Sequence, residues 1–367
     1  MALTAGIVGL PNVGKSTLFN AITKSGALAA NYPFATIDPN VGVVEVPDDR
    51  LDTLTELVNP AKTIATIFEF TDIAGIVKGA SKGEGLGNKF LSHIREVDAI
   101  VQVVRAFDDE NVTHVDGEVD PIRDIEVINL ELIFADLEVV EKRLPKIEKK
   151  AQLKVDKDAV IEYRILKEVH EHLMDNKPIR TLKLVANELE LIKGFNFLTL
   201  KPMIYVANII EDEIADYSQN PYVQSIKEFA HYEGTEVVVI SAKIEAELSE
   251  LEEDEKTVFL DELGVSESGL DKLIRRSYNL LGLETFFTAG PKEVRAWTYK
   301  KGSKAPKCAG VIHTDFEKGF IKAQTISFED YAKYGGEQGA KERGRARMEG
   351  KEYIVQDGDV MLFRFNV

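Results

Sequence analysis

The chain carries one cysteine, Cys308, in 367 residues, so no internal disulfide can form. No apolar run reaches the ~20 residues that a membrane span needs, so no membrane partner is expected. Residues 1–6 (Met-Ala-Leu-Thr-Ala-Gly) hold no basic segment ahead of an apolar one, so a cleaved signal peptide is not expected. Internal repeats and low-complexity tracts are absent. Together these absences point to the cytoplasm. The formal net charge of -17 argues against binding naked nucleic acid with the whole surface. What is present is ordinary for a globular protein: 44% hydrophobic and 29% charged residues. The length suggests two or three domains, and nothing demands a dimer, so a monomer is expected.

Short apolar runs at 3–9, 41–46, 66–72, 99–104, 202–208 and 236–241 read as strands, separated by helical patterns such as 16–24. This is an α/β pattern with a parallel sheet covered on both faces. Between 125 and 195 the pattern changes. Leu130, Leu137 and Leu144 form one heptad column and Ile133, Val140 and Ile147 another. Tyr163, Leu166, Val169 and Leu173 follow in a second helical stretch. An inserted antiparallel helical hairpin, coiled-coil-like, is expected, with Pro145 interrupting and kinking its first arm. The alternative is that these helices lie on the sheet. Residues 285–367 read as a separate small α+β domain. They hold 15 Lys/Arg against 11 Asp/Glu, leaving 30 against 51 in the rest. A basic module on an acidic body suits an RNA- or ribosome-facing surface; the plain alternative is an accident of surface composition. The expected domains are 1–124 with 196–284, 125–195, and 285–367.

Gly9-Leu10-Pro11-Asn12-Val13-Gly14-Lys15-Ser16-Thr17 matches G-x-x-x-x-G-K-[ST] between a strand and a helix. Its backbone N–H groups, from Asn12, Val13 and Gly14 through Thr17, would turn onto phosphates. Lys15 would meet the β- and γ-phosphates, and Ser16 a Mg²⁺ ion. Thr36, in a Pro-bounded loop, would supply the second hydroxyl to the metal. Asp72 opens D-x-x-G and would supply the carboxylate, with the Gly75 amide near the γ-phosphate. Gly79, Gly83, Gly85 and Gly87 follow in a stretch able to order on that phosphate. The water-orienting Gln of Ras-like enzymes is missing. Ile76 stands there and cannot hydrogen-bond a water, so hydrolysis must use another group, be slow, or be completed by a partner.

Asn-Lys-x-Asp, the guanine-reading motif, is missing too. The matching strand ends Asn208-Ile209-Ile210-Glu211. Ile209 would offer an apolar face to the base, and Glu211 lacks the bidentate geometry for guanine. Losing that pair costs guanine on the order of 1–3 kcal/mol. ATP is therefore expected over GTP, though a relaxed site accepting both stays open. Ser241-Ala242-Lys243 matches the last base-contacting loop.

These segments (9–17, 31–42, 72–87, 103–115, 208–211 and 241–248) resemble the YchF subfamily of Obg-related proteins, the Obg-like ATPases. The resemblance covers essentially the whole chain. It implies a Ras-like G domain, an inserted coiled coil and a C-terminal TGS domain. It also implies ATP binding with slow hydrolysis, Mg²⁺ dependence and association with ribosomes. In this family a hydrophobic residue replaces the catalytic Gln, as Ile76 does, and His114 takes the place of a residue proposed to help hydrolysis. Asn12 resembles the P-loop Asn that binds K⁺ in potassium-stimulated relatives. Lys300–Lys307 and Lys341–Arg347 are expected ribosomal RNA contacts; a solvated loop is the alternative. A metabolic kinase is disfavoured because no second substrate site is evident. A GTPase acting in translation or assembly is separated from the ATPase only by 208–211.

Overall fold

The computed structural model describes residues 3–25, 40–73, 85–110, 112, 117–153 and 156–366. Its elements begin with β1 (Thr4–Val8), α1 (Lys15–Ser25), β2 (Val41–Glu45), α2 (Asp49–Val58), β3 (Thr63–Ile64) and β4 (Ile67–Asp72). They continue with α3 (Gly85–Glu96), β5 (Ala99–Arg105), α4 (Pro121–Gln152), α5 (Lys157–Met174) and α6 (Ala186–Ile192). Then come β6 (Met203–Asn208), α7 (Pro221–Glu233), β7 (Glu236–Ile240), α8 (Ala242–Leu248), α9 (Glu253–Glu262) and α10 (Gly269–Leu280). The chain closes with β8 (Leu283–Ala289), β9 (Val294–Lys300), α11 (Ala305–Ile312), α12 (Thr314–Lys318) and β10 (Phe320–Ile326), followed by α13 (Phe328–Lys333), α14 (Glu337–Glu342), β11 (Arg347–Glu349) and β12 (Val360–Phe365). Among the described residues, no helix is long and apolar enough to cross a membrane.

Contacts divide the chain into two units: Met1–Val43 with Glu69–Leu273, and Val44–Phe68 with Ile274–Val367. The first is built on a six-stranded sheet ordered β2-β4-β1-β5-β6-β7. β1 pairs in parallel with β4 and β5, β5 with β6, and β6 with β7. β5 and β6 are buried along their whole length, which is why their sequences run apolar without alternation. The chain leaves β1 on one side and returns as β5 on the other. This switch point is where parallel sheets open a crevice at their C-terminal ends.

α4 and α5 pair as an antiparallel hairpin. Arg143 meets Glu162 at 2.7 Å, and the Tyr163 hydroxyl donates to Glu148 at 3.0 Å, across opposite chain directions. The seam buries Ile133, Val140 and Ile147 against Leu166, Val169 and Leu173, each at most 1% exposed. The other expected column is shallower: Leu137 is 9% exposed, and Leu130 and Leu144 are half-buried. α4 begins at Pro121, capped by Asp120, and runs 32 residues through Pro145. The expected interruption does not end the helix. Pro145 sits on the exposed side, where water can satisfy the carbonyl it leaves without a donor.

Two buried polar clusters tie this hairpin to the sheet. Asp136 of α4 accepts from the amides of Leu198 (2.9 Å) and Thr199 (2.8 Å) and from the Thr199 hydroxyl (2.7 Å). Arg180 donates to Asn129 of α4 (2.9 Å) and pairs with Glu233 of α7 (2.9 Å). Glu233 also accepts from the Tyr205 hydroxyl of β6 at 2.6 Å.

The second unit carries a sheet ordered β11-β10-β12-β8-β9-β3. One face buries Phe286, Tyr299, Phe320 and Phe363 with α11. The other buries Phe287, Val294, Ala296, Ile326 and Val360 under Leu51 and Leu54 of α2 and Tyr331 of α13. The expected start at 285 therefore differs from the division found. Residues 44–68 belong here because β3 adds to the sheet beside β9 and the apolar side of α2 covers one face.

Candidate functional site

The P-loop lies where β1 ends and α1 begins. Asn12 and Gly14 have φ of 62° and 95°, which turns the loop back on itself. A Cβ at Gly14 would lie 2.2 Å from the Asn208 amide nitrogen, and one at Gly9 would lie 2.8 Å from the Val103 carbonyl. Glycine is thus required at Gly14 by backbone conformation and space, and at Gly9 by space. Val13 is buried at 1% and anchors the loop, while Asn12 and Thr17 belong to its more open side. The first turn of α1 has no acidic side chain, so its partial positive charge is left for an anion. Lys15 is ion-paired with Asp72 at the end of β4. The cation read as phosphate-binding and the carboxylate read as metal-binding are therefore in contact. Thr36, Gly75, Ile76 and His114 lie outside the described residues.

At the ends of β6 and β7, Asn208 joins two loops. Its side-chain amide donates to the Val13 carbonyl at 2.9 Å, and its carbonyl oxygen accepts from the Ala242 amide at 2.9 Å. The sequence assigns Asn208 to base contact; the structure gives it the job of holding the phosphate loop and the 241–243 loop at a fixed spacing. Ile209 departs from its expectation. Its side chain is 2% exposed and its amide donates to Ile240 at 2.9 Å, so it sits in the core and shows no apolar face to a base. The reason is the sheet: β6 is buried on both sides and Ile209 continues it. Glu211 is ion-paired with Lys243. Hydrogen bonding from Lys243 holds the Glu211 carboxyl below the usual range, against a smaller opposing effect of burial. Ser241 and Ala242 are buried and Lys243 is exposed.

Two residues escaped sequence reasoning. Arg105 ends β5 at 2% exposure. It donates to the carbonyls of Phe107 (3.0 Å), Val112 (2.8 Å) and Asp109 (3.2 Å), holding these three residues beside the end of the strand. An arginine closing a strand that is apolar but for Gln102 was the available signal. Glu245 of α8 is 3% exposed and accepts from the Gly269 amide at 2.8 Å, capping α10. Burial pushes its carboxyl up to about 7.

This site can cradle phosphates, and its base end lacks the aspartate that would read guanine. Known proteins with similar chains are named as nucleoside triphosphatases. Residues 4–135 match a family model described as "50S ribosome-binding GTPase", and residues 283–366 match one described as "Protein of unknown function (DUF933)". The chain is 66% identical to the "Ribosome-binding ATPase YchF" of Bacillus subtilis (strain 168) over 367 residues, covering 100% of both chains. It is 56% identical to the protein of that name from Haemophilus ducreyi, again over 100% of both. The solved YchF GTPase of Schizosaccharomyces pombe superposes with a TM-score of 0.89 at 42% identity, covering 99% of this chain and 97% of that one. On full-length identity and a shared fold, the chain belongs to the YchF family.

Proposed function

We propose that the chain is an ATP-binding, slowly ATP-hydrolysing P-loop switch protein that associates with the ribosome. The observation that carries the base preference is Glu211. The guanine-reading position holds a longer carboxylate already bonded to Lys243, and Ile209 is buried. Adenine needs no acidic acceptor there. The curated relatives named "Ribosome-binding ATPase YchF" support the same reading.

Nucleotide entry would draw Lys15 from Asp72 to the β- and γ-phosphates, with the amides of Asn12 to Thr17 around them. The donor set fits Mg²⁺: the Ser16 and Thr36 hydroxyls and the Asp72 carboxylate are hard oxygens, and the Lys15–Asp72 contact brings that carboxylate beside the phosphate-binding cation. Bound Mg²⁺ supplies charge neutralisation on the phosphate oxygens. Gly75 would meet the γ-phosphate through its amide, and His114 would orient the attacking water that Ile76 cannot hold. Asn12 would serve K⁺. The α4–α5 hairpin is the family's coiled-coil arm, and the C-terminal unit is its TGS domain, contacting ribosomal RNA. The protein works as a cytoplasmic monomer.

Titration with Mg-ATP and Mg-GTP analogues, side by side, tests the reading. At least tenfold tighter ATP binding is expected. Tighter GTP binding would replace it with the GTPase alternative, the activity by which the fission-yeast relative is named.

A further inference from the structure

In α9 none of the described side chains is buried. The helix has 10 residues, a length that is marginal in water without packing. Helical spacing sets Asp254, Glu255, Val258, Phe259 and Glu262 along one side. Together with Leu251, just before the helix, they line an open groove of about 450 Å³. Val258 is 59% exposed there, and Leu251 and Phe259 are half-buried. The groove therefore has an apolar middle and three carboxylates on its rim.

The charges narrow what can cover it. From 247 to 262 the sequence holds eight acidic residues against one lysine, Lys256, and Lys256 is not among the residues that line the groove. Glu255 accepts from the Glu252 amide at 3.1 Å. Asp254 and Glu262 have no ion-pair partner among the described residues. The last turn of α9 has no basic side chain, yet Asp261 and Glu262 stand there. Negative charge at that end opposes the helix dipole. A cationic partner offsets this cost and the exposed apolar area at once, whereas RNA or an anionic membrane would be repelled.

We propose that this groove docks a lysine- and arginine-rich amphipathic segment of another protein, laid as a helix along α9. The apolar side of that segment covers Leu251, Val258 and Phe259. Its cations face Asp254, Glu255 and Glu262 and fix its position along the groove. The inference goes beyond nucleotide binding and RNA contact, because it gives the first unit a surface that selects a basic protein segment.

The test follows the anisotropy of a fluorescein-labelled peptide of about 18 residues, lysine and leucine in a helical pattern, with the full chain across a salt series. A peptide of the same composition in permuted order is the control. The patterned peptide should bind roughly tenfold more tightly than the permuted one. Val258→Ser/Phe259→Ser should weaken it roughly tenfold with the salt dependence kept. Asp254→Asn/Glu262→Gln should weaken it and flatten the salt dependence, with a melting temperature that holds or rises. ATP affinity should not change in either variant. If the first variant melts early, Val258→Ser alone, at an exposed position, decides. Absence of binding by the unmodified chain, equal binding of the permuted peptide, or unchanged affinity in the serine variants would overturn the proposal. Self-association of the unmodified chain that the serine variants abolish would give the groove to a second copy and overturn it too.

Discussion

Two groups of ion pairs in the first unit are built in opposite ways. At the root of the helical hairpin, Arg180 and Glu233 are 8% and 4% exposed and share Asn129 and Tyr205 as further partners. At the nucleotide site, among the described residues, Lys15–Asp72 (11% and 26% exposed) and Glu211–Lys243 (34% and 69% exposed) share no third partner. The root pair cannot be opened without leaving a buried charge. The site pairs can be opened by a ligand that offers each partner a replacement. Burial and the number of partners, rather than ion pairing itself, separate a fastening from a binding group.

Removing one member of the root pair gives the largest expected effect. Arg180→Met leaves Glu233 buried and unpaired, and should lower unfolding free energy by about 3–5 kcal/mol in urea titration. A loss near that of an exposed pair would erase the distinction. Glu245 sharpens it from a third side, being a buried carboxylate that accepts from the Gly269 amide and has no ion-pair partner within bonding distance among the described residues. Its folded value of about 7 exceeds the ordinary 4.5, so the folded state binds more protons between those pH values. Stability should therefore fall as pH rises from about 4.5 to about 7, by an amount on the order of 1–3 kcal/mol. Glu245→Gln should flatten that part of the profile; an unaltered profile would assign the slope elsewhere. The smallest effect belongs to the site. Lys243→Ala should leave the urea midpoint unmoved, while the freed Glu211 shifts the ratio of ATP to GTP affinity.

Much of this was legible in the sequence where chemistry is local. The P-loop spacing specified a strand, a turn and a helix within one short segment, and heptad spacing located the hairpin seam. The residues that failed to show are those whose meaning depends on distant partners. Asn208 reads as a base contact until Val13 and Ala242 are seen on its side chain. Ile209 reads as a surface until the sheet covers it. α2 and β3 read as part of the nucleotide-binding region, because their partner strand begins at Val294 and no local pattern announces a pairing over that separation.

That last pairing has a consequence for the making of the molecule. Leu51 and Leu54 are translated well before Phe287, Val294 and Val360, which they cover. At 5–20 residues per second the wait is roughly 15–60 s. During it, the apolar side of α2 has no partner, and every nascent chain shows an adhesive patch to whatever waits at the exit tunnel. A message cut short before β8 would leave that patch permanently bare, marking the product for chaperones and proteases.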